Sequence, residues 1–290
     1  MMSTPWTIDG AEGRPIRGDA HAPLAPHAPP RAVVLLAHGF KGYKDYGFIP
    51  ALAQMLAAAL PVVVHRFNFS HSGVGEDPST FEHPELFERD TWNKQAHDIA
   101  AVMDAAHAGR LPKTPPRLPI ILIGHSRGGV SCLLAAGRRF RDAAQPTPRA
   151  IITIAAPATA AGLSEDECEQ LLERGFIETK SARTGQTLRI GAAWLREQYA
   201  APEDHDVEAL CARIDSPVLA IHGAMDPTVP PPSARVIERA CPRGRSLLID
   251  GADHVFNTPN PADPDATPSP QLATLQREAV RFLSDALGFD

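Results

Sequence analysis

A six-residue stretch near the middle of the chain, Gly124-His125-Ser126-Arg127-Gly128-Gly129, constrains the fold more than any other segment. It follows an apolar run of strand length, residues 118–123, and precedes a helix-like run, residues 130–144. A serine between glycines at a strand-to-helix turn is the arrangement known as a nucleophile elbow. Gly124 and Gly128 have no Cβ and therefore permit the sharp turn. The stretch predicts that the Ser126 hydroxyl lies at the positive end of the following helix, where it is a candidate nucleophile.

Apolar runs of strand length alternate with helical stretches on both sides of this turn. Buried strands are predicted over residues 32–37, 62–67, 118–123, 150–155, 217–221 and 246–249. Helices are predicted over residues 46–60, 130–144 and 233–240. Two more are predicted, one that begins after Asp90 as its N-cap and one at the C-terminal end. Two shorter strands, 4–8 and 14–19, come first and are separated by Asp9-Gly10. Strands that are apolar on both faces and alternate with helices predict an α/β fold with a mostly parallel sheet and helices on both sides.

The alternation stops between residues 160 and 210. Ser164 and Glu167 form a capping-box pattern that opens a helix to residue 172, and a second helix is predicted over 188–199. No clear buried strand is predicted between the two helices. We therefore expect a small helical cap over residues 160–210, inserted into a core made of residues 1–159 and 211–290. The apolar residues of the insertion either line an acyl pocket or pack the cap onto the core: Phe176, Ile177, Trp194 and Leu195.

The composition of the chain excludes some classes of function. The chain has 290 residues, a net charge of −6 and no block of lysine and arginine, which argues against a nucleic-acid partner. Cys132, Cys168, Cys211 and Cys241 form no Cys-x-x-Cys pair, so neither a metal site nor a cofactor is expected, and their wide spacing suits a reducing compartment. The sequence has no apolar run of membrane-spanning length and no signal-peptide pattern. We expect a cytoplasmic enzyme; the sequence does not predict its oligomeric state.

Two later strand ends carry groups that could activate a serine. His222-Gly223-Ala224-Met225-Asp226 follows the strand at 217–221, and Gly251-Ala252-Asp253-His254 follows the strand at 246–249. A serine hydroxyl is a weak nucleophile unless a base removes its proton, and that base needs an orienting partner. Asp226 is preferred as the orienting acid over Asp253, whose side chain should diverge from that of its neighbour His254, and Asp250 is the remaining alternative.

Four motifs follow predicted strands, in this order along the chain: His38-Gly39-Phe40, Gly124-His125-Ser126-Arg127-Gly128, His222-Gly223-x-x-Asp226 and Gly251-x-x-His254. On these motifs the chain resembles the α/β-hydrolase family over nearly its whole length. It is most similar to the esterase and serine-aminopeptidase-like branch, which includes cinnamoyl/feruloyl esterases. The resemblance implies that Ser126 attacks a carbonyl, His254 transfers the proton and Asp226 orients His254. It also implies that the backbone N–H groups of Phe40 and Arg127 form an oxyanion hole.

Several residues near these motifs have structural as well as functional interpretations. We expect His38, His125 and His222 to be structural hydrogen-bonding residues, because the last strand end already supplies His254. The Arg127 side chain either binds an acidic substrate or is packed and ion-paired. The acidic run at residues 165–167 either binds a substrate amine or stabilises a helix N-terminus.

The favoured function is hydrolysis of a small-molecule carboxylic ester through an acyl-enzyme, with amide and thioester hydrolysis as close alternatives. A serine at the nucleophile position disfavours halide displacement and epoxide opening. A non-catalytic binding protein of the same fold is the contrasting hypothesis, and the natural substrate is not legible in the sequence.

Overall fold

The computed structural model describes residues 3–24, 29–141, 145–263 and 266–289. The strands are β1 (Thr4–Asp9), β2 (Pro15–His21), β3 (Ala32–Ala37), β4 (Val62–Asn68), β5 (Ile120–His125), β6 (Ala150–Ile154), β7 (Phe176–Lys180), β8 (Thr187–Gly191), β9 (Val218–Gly223) and β10 (Gly244–Ile249). The α-helices are α1 (Ile49–Ala59), α2 (Pro84–Glu88), α3 (Trp92–His107), α4 (Arg127–Arg139), α5 (Glu165–Arg174), α6 (Ala193–Ala200), α7 (Val207–Cys211), α8 (Pro232–Ala240) and α9 (Pro270–Leu287). Short 3₁₀ turns lie at Ala11–Gly13 and Pro202–Asp204.

One eight-stranded sheet organises these elements, in the order β1-β2-β4-β3-β5-β6-β9-β10. The pairs β1–β2 and β2–β4 are antiparallel, and every pair from β4 to β10 is parallel. The predicted mostly parallel sheet is thus confirmed. Because parallel strands end at the same edge, the segments that follow β3, β5, β9 and β10 meet there.

The sheet is buried on both faces. Along β3, Val33, Leu35 and Ala37 belong to one hydrophobic cluster, with residues of α3, α4 and α7. Ala32, Val34 and Leu36 belong to the other, with residues of α1 and α9. Successive side chains of a strand point to opposite faces, so a run that is apolar at every position fills both clusters.

Some predicted element ends differ from the structure. The N-cap of α3 is Thr91, whose side chain accepts a hydrogen bond from the Lys94 N–H at 3.3 Å, and not Asp90 as predicted. Asp90 instead turns inward and accepts a hydrogen bond from Gln95 Nε2 at 2.6 Å. The helix after Ser126 begins directly at Arg127 and ends at Arg139, before the predicted end; residues 142–144 of that prediction lie outside the described residues. Loops are also predicted over residues 22–30 and 257–270, of which residues 25–28 and 264–265 lie outside the described residues.

The segment between residues 160 and 210 departs most from prediction. The capping box is present, with the Ser164 hydroxyl accepting from the Glu167 N–H and the Glu167 carboxylate accepting from the Ser164 N–H. The second helix, however, begins at Ala193, and the predicted helical residues 188–191 belong to strand β8 instead. Strands β7 and β8 form an antiparallel hairpin that was not predicted. The prediction was wrong there because β8 and α6 are nearly continuous, so that one run of apolar residues crosses the boundary between them.

Two further observations concern the described residues only. None of their helices is long and apolar enough to cross a membrane. No group of three or more histidine, cysteine, aspartate or glutamate side chains among them is arranged to hold a metal ion.

Candidate active site

The turn between β5 and α4 is sharp, as the sequence predicts, and its backbone is strained. Ser126 has φ 52° and ψ −124°, in a region that non-glycine residues rarely occupy. A Cβ on Gly124 would lie 2.3 Å from the Gly128 carbonyl oxygen, and one on Gly128 would lie 2.4 Å from the His38 carbonyl oxygen. The Ser126 N–H donates to the Ile154 carbonyl at 2.7 Å, which ties the turn to β6. Glycine is therefore required at two positions of the turn, and the serine is held in place by its backbone.

Ser126 faces the loop that follows β3. A Cβ on Gly39 would lie 2.9 Å from the Ser126 Cβ, so the glycine allows this loop to approach the serine closely. Within the described residues, the N–H groups of Phe40 and Arg127 and the Ser126 hydroxyl have no hydrogen-bond partner. Arg127 is the first residue of α4, where N–H groups lack intrahelical partners and the helix dipole is positive. The site thus combines a hydroxyl with two unpaired backbone donors.

Asp226 and His254 form a direct pair. His254 Nδ1 lies 2.8 Å from Asp226 Oδ2. A carboxylate only accepts hydrogen bonds, so Nδ1 carries the proton and Nε2 of the neutral ring is left as the basic nitrogen. Asp253 is occupied elsewhere, since its Oδ1 accepts from the N–H groups of Val255 at 2.9 Å and Asn257 at 2.8 Å. Asp250 is exposed.

The Asp226 carboxylate is buried and fully hydrogen-bonded. Its Oδ1 accepts from the N–H groups of Thr228 at 2.8 Å and Val229 at 3.0 Å, and His222 Nε2 lies 3.0 Å from Oδ2. Burial alone would raise the pKa of Asp226, but the contacts with His222, His254 and these two N–H groups outweigh it and hold the pKa well below its ordinary value. Asp226 therefore stays ionised beside His254.

His254 also contacts the elbow. The carbonyl oxygen of His254 lies 3.1 Å from His125 Nε2, and the two imidazole rings are 4.9 Å apart between centroids. No hydrogen bond joins the Ser126 hydroxyl to His254 within the described residues; such bonds are often loose without substrate.

His38, His125 and His222 hydrogen-bond to groups within the fold. His38 Nδ1 donates to the Gly39 carbonyl at 2.9 Å, and its Nε2 accepts from the Phe69 N–H at 3.3 Å. Burial lowers the pKa of His38 to about 4 and that of His125 to about 3, so both rings are neutral near pH 7. His222 Nε2 lies 3.1 Å from the Val229 carbonyl oxygen as well as close to Asp226.

The Arg127 side chain is packed and ion-paired. Its Nη2 lies 3.5 Å from Asp90 Oδ2, and the centre of its guanidinium lies 4.5 Å from the Trp92 ring centroid and 5.5 Å from that of Phe40. Burial lowers the pKa of Arg127, and burial raises that of Asp90 to about 6 even though Arg127 and Gln95 oppose the shift. These contacts favour the packed interpretation over a receptor for an acidic substrate.

Sequence reasoning missed an aromatic cluster that lies against the loop after β3. Its buried members are Tyr43, Val74, Phe81, Phe87 and Leu188, with Phe40, Tyr46 and Ile190 packed beside them. Leu188 and Ile190 come from the hairpin, whereas Trp194 and Leu195 belong to the larger core cluster. The sequence signal that could have indicated this cluster was the group of aromatic residues within positions 43–46 and 81–87.

Comparisons with known proteins bear on the family and the fold of the chain. Residues 34–267 match the model of the alpha/beta hydrolase family. Est1E from Butyrivibrio proteoclasticus, solved with bound ferulic acid, superposes with a TM-score of 0.72 at 22% identity, covering 98% of this chain and 99% of that one. A puromycin-hydrolysing peptidase from Mycobacterium tuberculosis gives a TM-score of 0.67 at 18% identity, covering 99% of this chain and 40% of that one. No curated protein matches the sequence significantly. On the match of the family model over most of its length, the chain belongs to the alpha/beta hydrolase family.

Proposed function

We propose that this hydrolase cleaves a carboxylic ester through an acyl-enzyme, with Ser126 as nucleophile, His254 as general base and acid, and Asp226 as the orienting acid. The observation that carries the proposal is the 2.8 Å contact between His254 Nδ1 and Asp226, next to a strained turn that presents a serine. That contact leaves His254 Nε2 as the basic nitrogen.

In the proposed reaction, Ser126 Oγ bonds to the substrate carbonyl carbon while its proton moves to His254 Nε2. The carbonyl electron pair moves to the oxygen, which becomes an oxyanion and accepts hydrogen bonds from the N–H groups of Phe40 and Arg127. When the tetrahedral intermediate collapses, the bond to the leaving alcohol breaks and His254 returns the proton to the alkoxide. Water then attacks the acyl-enzyme by the same steps and releases the acid.

We also propose that residues 160–210 form a cap over this site. The support lies in contacts of the hairpin with loops of the core. The Gln186 side chain accepts a hydrogen bond from the Phe81 N–H at 2.8 Å and donates one to the Phe81 carbonyl at 3.2 Å. Leu188 is buried in the aromatic cluster next to Phe40.

Ester cleavage is preferred to amide cleavage on one observation. An aminopeptidase needs a fixed acid for the substrate amine, and within the acidic run at 165–167 Glu167 is already engaged in the capping box of α5. The similarity to a puromycin-hydrolysing peptidase makes an amide the first competing substrate to test.

Labelling with a fluorophosphonate probe tests the nucleophile. The wild type should be labelled, and Ser126→Ala should lose labelling and at least about 10³-fold in kcat for a p-nitrophenyl ester, because the acyl-enzyme can no longer form. An unchanged urea unfolding midpoint would show that the variant is folded. A panel of esters of increasing acyl length, methyl ferulate, thioesters and amino-acid anilides would then define the substrate class. A wild type that is neither labelled nor active on any of them would overturn the proposal in favour of a binding protein.

A further inference from the structure

Lys41, the residue after the proposed oxyanion donor Phe40, contacts the hairpin of strands β7 and β8. Its ammonium group donates hydrogen bonds to Thr179 Oγ1 at 3.0 Å and to the Lys180 carbonyl at 2.9 Å. Both acceptors lie on β7, almost 140 residues away in sequence. Burial lowers the pKa of Lys41, as expected for an ammonium group covered by a neighbouring element. The contact therefore joins the loop after β3 directly to the hairpin.

The backbone at Lys41 needs such support. Lys41 has φ 56°, a left-handed conformation that lysine seldom adopts and that persists only where contacts hold it. The preceding part of the loop is fixed against the elbow, because Gly39 packs against Ser126. The part that follows is fixed to the core, because Lys44 Nζ lies 2.5 Å from Asp19 Oδ2. The loop between these two anchors contains both Phe40 and Lys41.

The hairpin touches the same loop at a second place. The Arg183 guanidinium, in the turn between β7 and β8, lies 4.7 Å from the ring centroid of Tyr43 and 4.9 Å from that of Phe81. Phe81 in turn packs on Phe87, and Phe87 packs on Phe40, with ring centroids 5.5 Å and 5.4 Å apart. The side chain of Phe40 is thus backed by the surface on which the hairpin rests, while its neighbour Lys41 is bonded to the hairpin directly.

From this arrangement we infer that Lys41 is a positioning residue, through which the β7–β8 hairpin sets the Phe40 N–H in the oxyanion hole. The inference rests on the proposed function. An oxyanion donor matters only in the transition state, so loss of the contact acts on kcat and leaves substrate binding, and hence KM, nearly unchanged. A lysine with a purely structural role would change stability without separating kcat from KM.

The test compares Lys41→Met with Lys41→Arg, Thr179→Val and a matched control, Lys180→Met. Lys41→Met removes both hydrogen bonds and keeps the apolar stem, and Thr179→Val removes one acceptor. Lys180→Met removes an exposed ammonium group from the same strand but keeps the carbonyl that accepts from Lys41. The measurements are kcat and KM for a p-nitrophenyl ester, the affinity for a trifluoromethyl ketone whose serine adduct places an oxyanion in the hole, and the unfolding midpoint.

We expect Lys41→Met to lose about 10- to 100-fold in kcat and a similar factor in ketone affinity, since removal of an oxyanion donor altogether typically costs about 10²–10³. The KM of Lys41→Met should stay within about twofold of the wild-type value. Thr179→Val should lose a few-fold in kcat, and Lys41→Arg should keep most of the wild-type kcat. Lys180→Met should match the wild type in both parameters. An unchanged kcat in folded Lys41→Met, or a loss in kcat without a loss in ketone affinity, would overturn the inference. A wild type that binds no ketone and cleaves no ester would overturn the proposed function and this inference with it.

Discussion

Asp226 has four contacts that fix its protonation and its orientation. Two backbone N–H groups hold Oδ1, while two imidazoles approach Oδ2. Each of these partners can act as a donor, so the site accommodates a group that only accepts hydrogen bonds. This is the environment expected of a residue that keeps one tautomer of His254 and stabilises the imidazolium formed during the reaction.

Asp226→Asn should therefore lower kcat by about 10³–10⁴-fold while the protein stays folded. The amide oxygen can replace Oδ1 and accept from Thr228 and Val229, which leaves the NH₂ group facing His254 and His222. His254 Nδ1 must then accept a hydrogen bond, which moves the ring proton to Nε2 and removes the base. Ester hydrolysis measured by stopped-flow absorbance and circular dichroism would check the two parts of this prediction.

Asp253→Asn is the matched control, since Asp253 adjoins His254 in sequence but only accepts from backbone N–H groups of its own loop. A loss of activity in Asp253→Asn as large as in Asp226→Asn would show that the acid has been assigned to the wrong residue.

At the scale of elements, the turn into α4 depends on glycine for reasons of space. A Cβ at Gly128 would meet the backbone oxygens of His38 and Ala37 at 2.4 Å and 2.7 Å, and neither atom can move without displacing the end of β3 and the loop that follows it. Gly128 is a helical residue, where alanine would otherwise be favoured by about 1 kcal/mol. Any net loss of stability on substitution is therefore a lower limit for the steric cost.

We expect Gly128→Ala to destabilise the protein by at least about 2 kcal/mol, or to prevent soluble expression. Gly162→Ala is the control, because a Cβ at Gly162 would have no neighbour within 4 Å, and it should change the free energy of unfolding by less than about 0.5 kcal/mol. The free energy of unfolding of both variants, measured by urea denaturation, tests this prediction. Equal stability of the two variants would mean that the loop after β3 can yield, contrary to the packing described above.

Elements with a strong local pattern could be predicted from the sequence, and elements defined by distant contacts could not. The run at residues 32–37 is apolar at every position because it fills both core clusters, and its prediction as a buried strand is confirmed. The hairpin of β7 and β8 is partly exposed and only five residues long on each strand, so it carries no comparable pattern. The error at Asp90 has a similar origin, since its contact with Arg127 lies outside any local window.

At the scale of the whole molecule, the candidate site collects residues from the ends of four parallel strands. Phe40, Ser126, Asp226 and His254 follow β3, β5, β9 and β10, whose carboxyl ends share one edge of the sheet. Each motif directly follows a predicted strand, and the parallel topology alone brings the strand ends together, so these residues could be predicted from the sequence. The contacts that hold these residues in position could not be predicted, because they are single long-range contacts such as that between Lys41 and Thr179.

The same architecture buries five histidines whose pKa values lie well below the ordinary value. Burial lowers the pKa of His21, His38 and His71 to about 4, and that of His65 and His125 to about 3. In the unfolded chain these rings bind a proton near pH 6.5, so below that pH the unfolded state holds more protons than the folded state. The contribution of these histidines to the free energy of unfolding is thus fully present above about pH 6.5 and is lost as the pH falls towards 4. Asp90, with its pKa raised to about 6, and Asp98, whose pKa burial also raises, act in the opposite direction but are two groups against five.

His65 allows this linkage to be tested away from the candidate site. It is buried on β4, and its Nε2 lies 2.7 Å from Thr114 Oγ1, which itself donates to the Pro112 carbonyl. His65→Gln keeps a donor for Thr114 but cannot take up a proton. The free energy of unfolding, measured in urea from pH 7 to pH 5, should therefore fall less steeply in His65→Gln than in the wild type, by on the order of 1–2 kcal/mol over that range. His107→Gln, at an exposed position on α3, should keep the wild-type slope. If His65→Gln and the wild type lose stability in parallel, His65 does not take up its proton on unfolding, and the acid sensitivity must come from other groups.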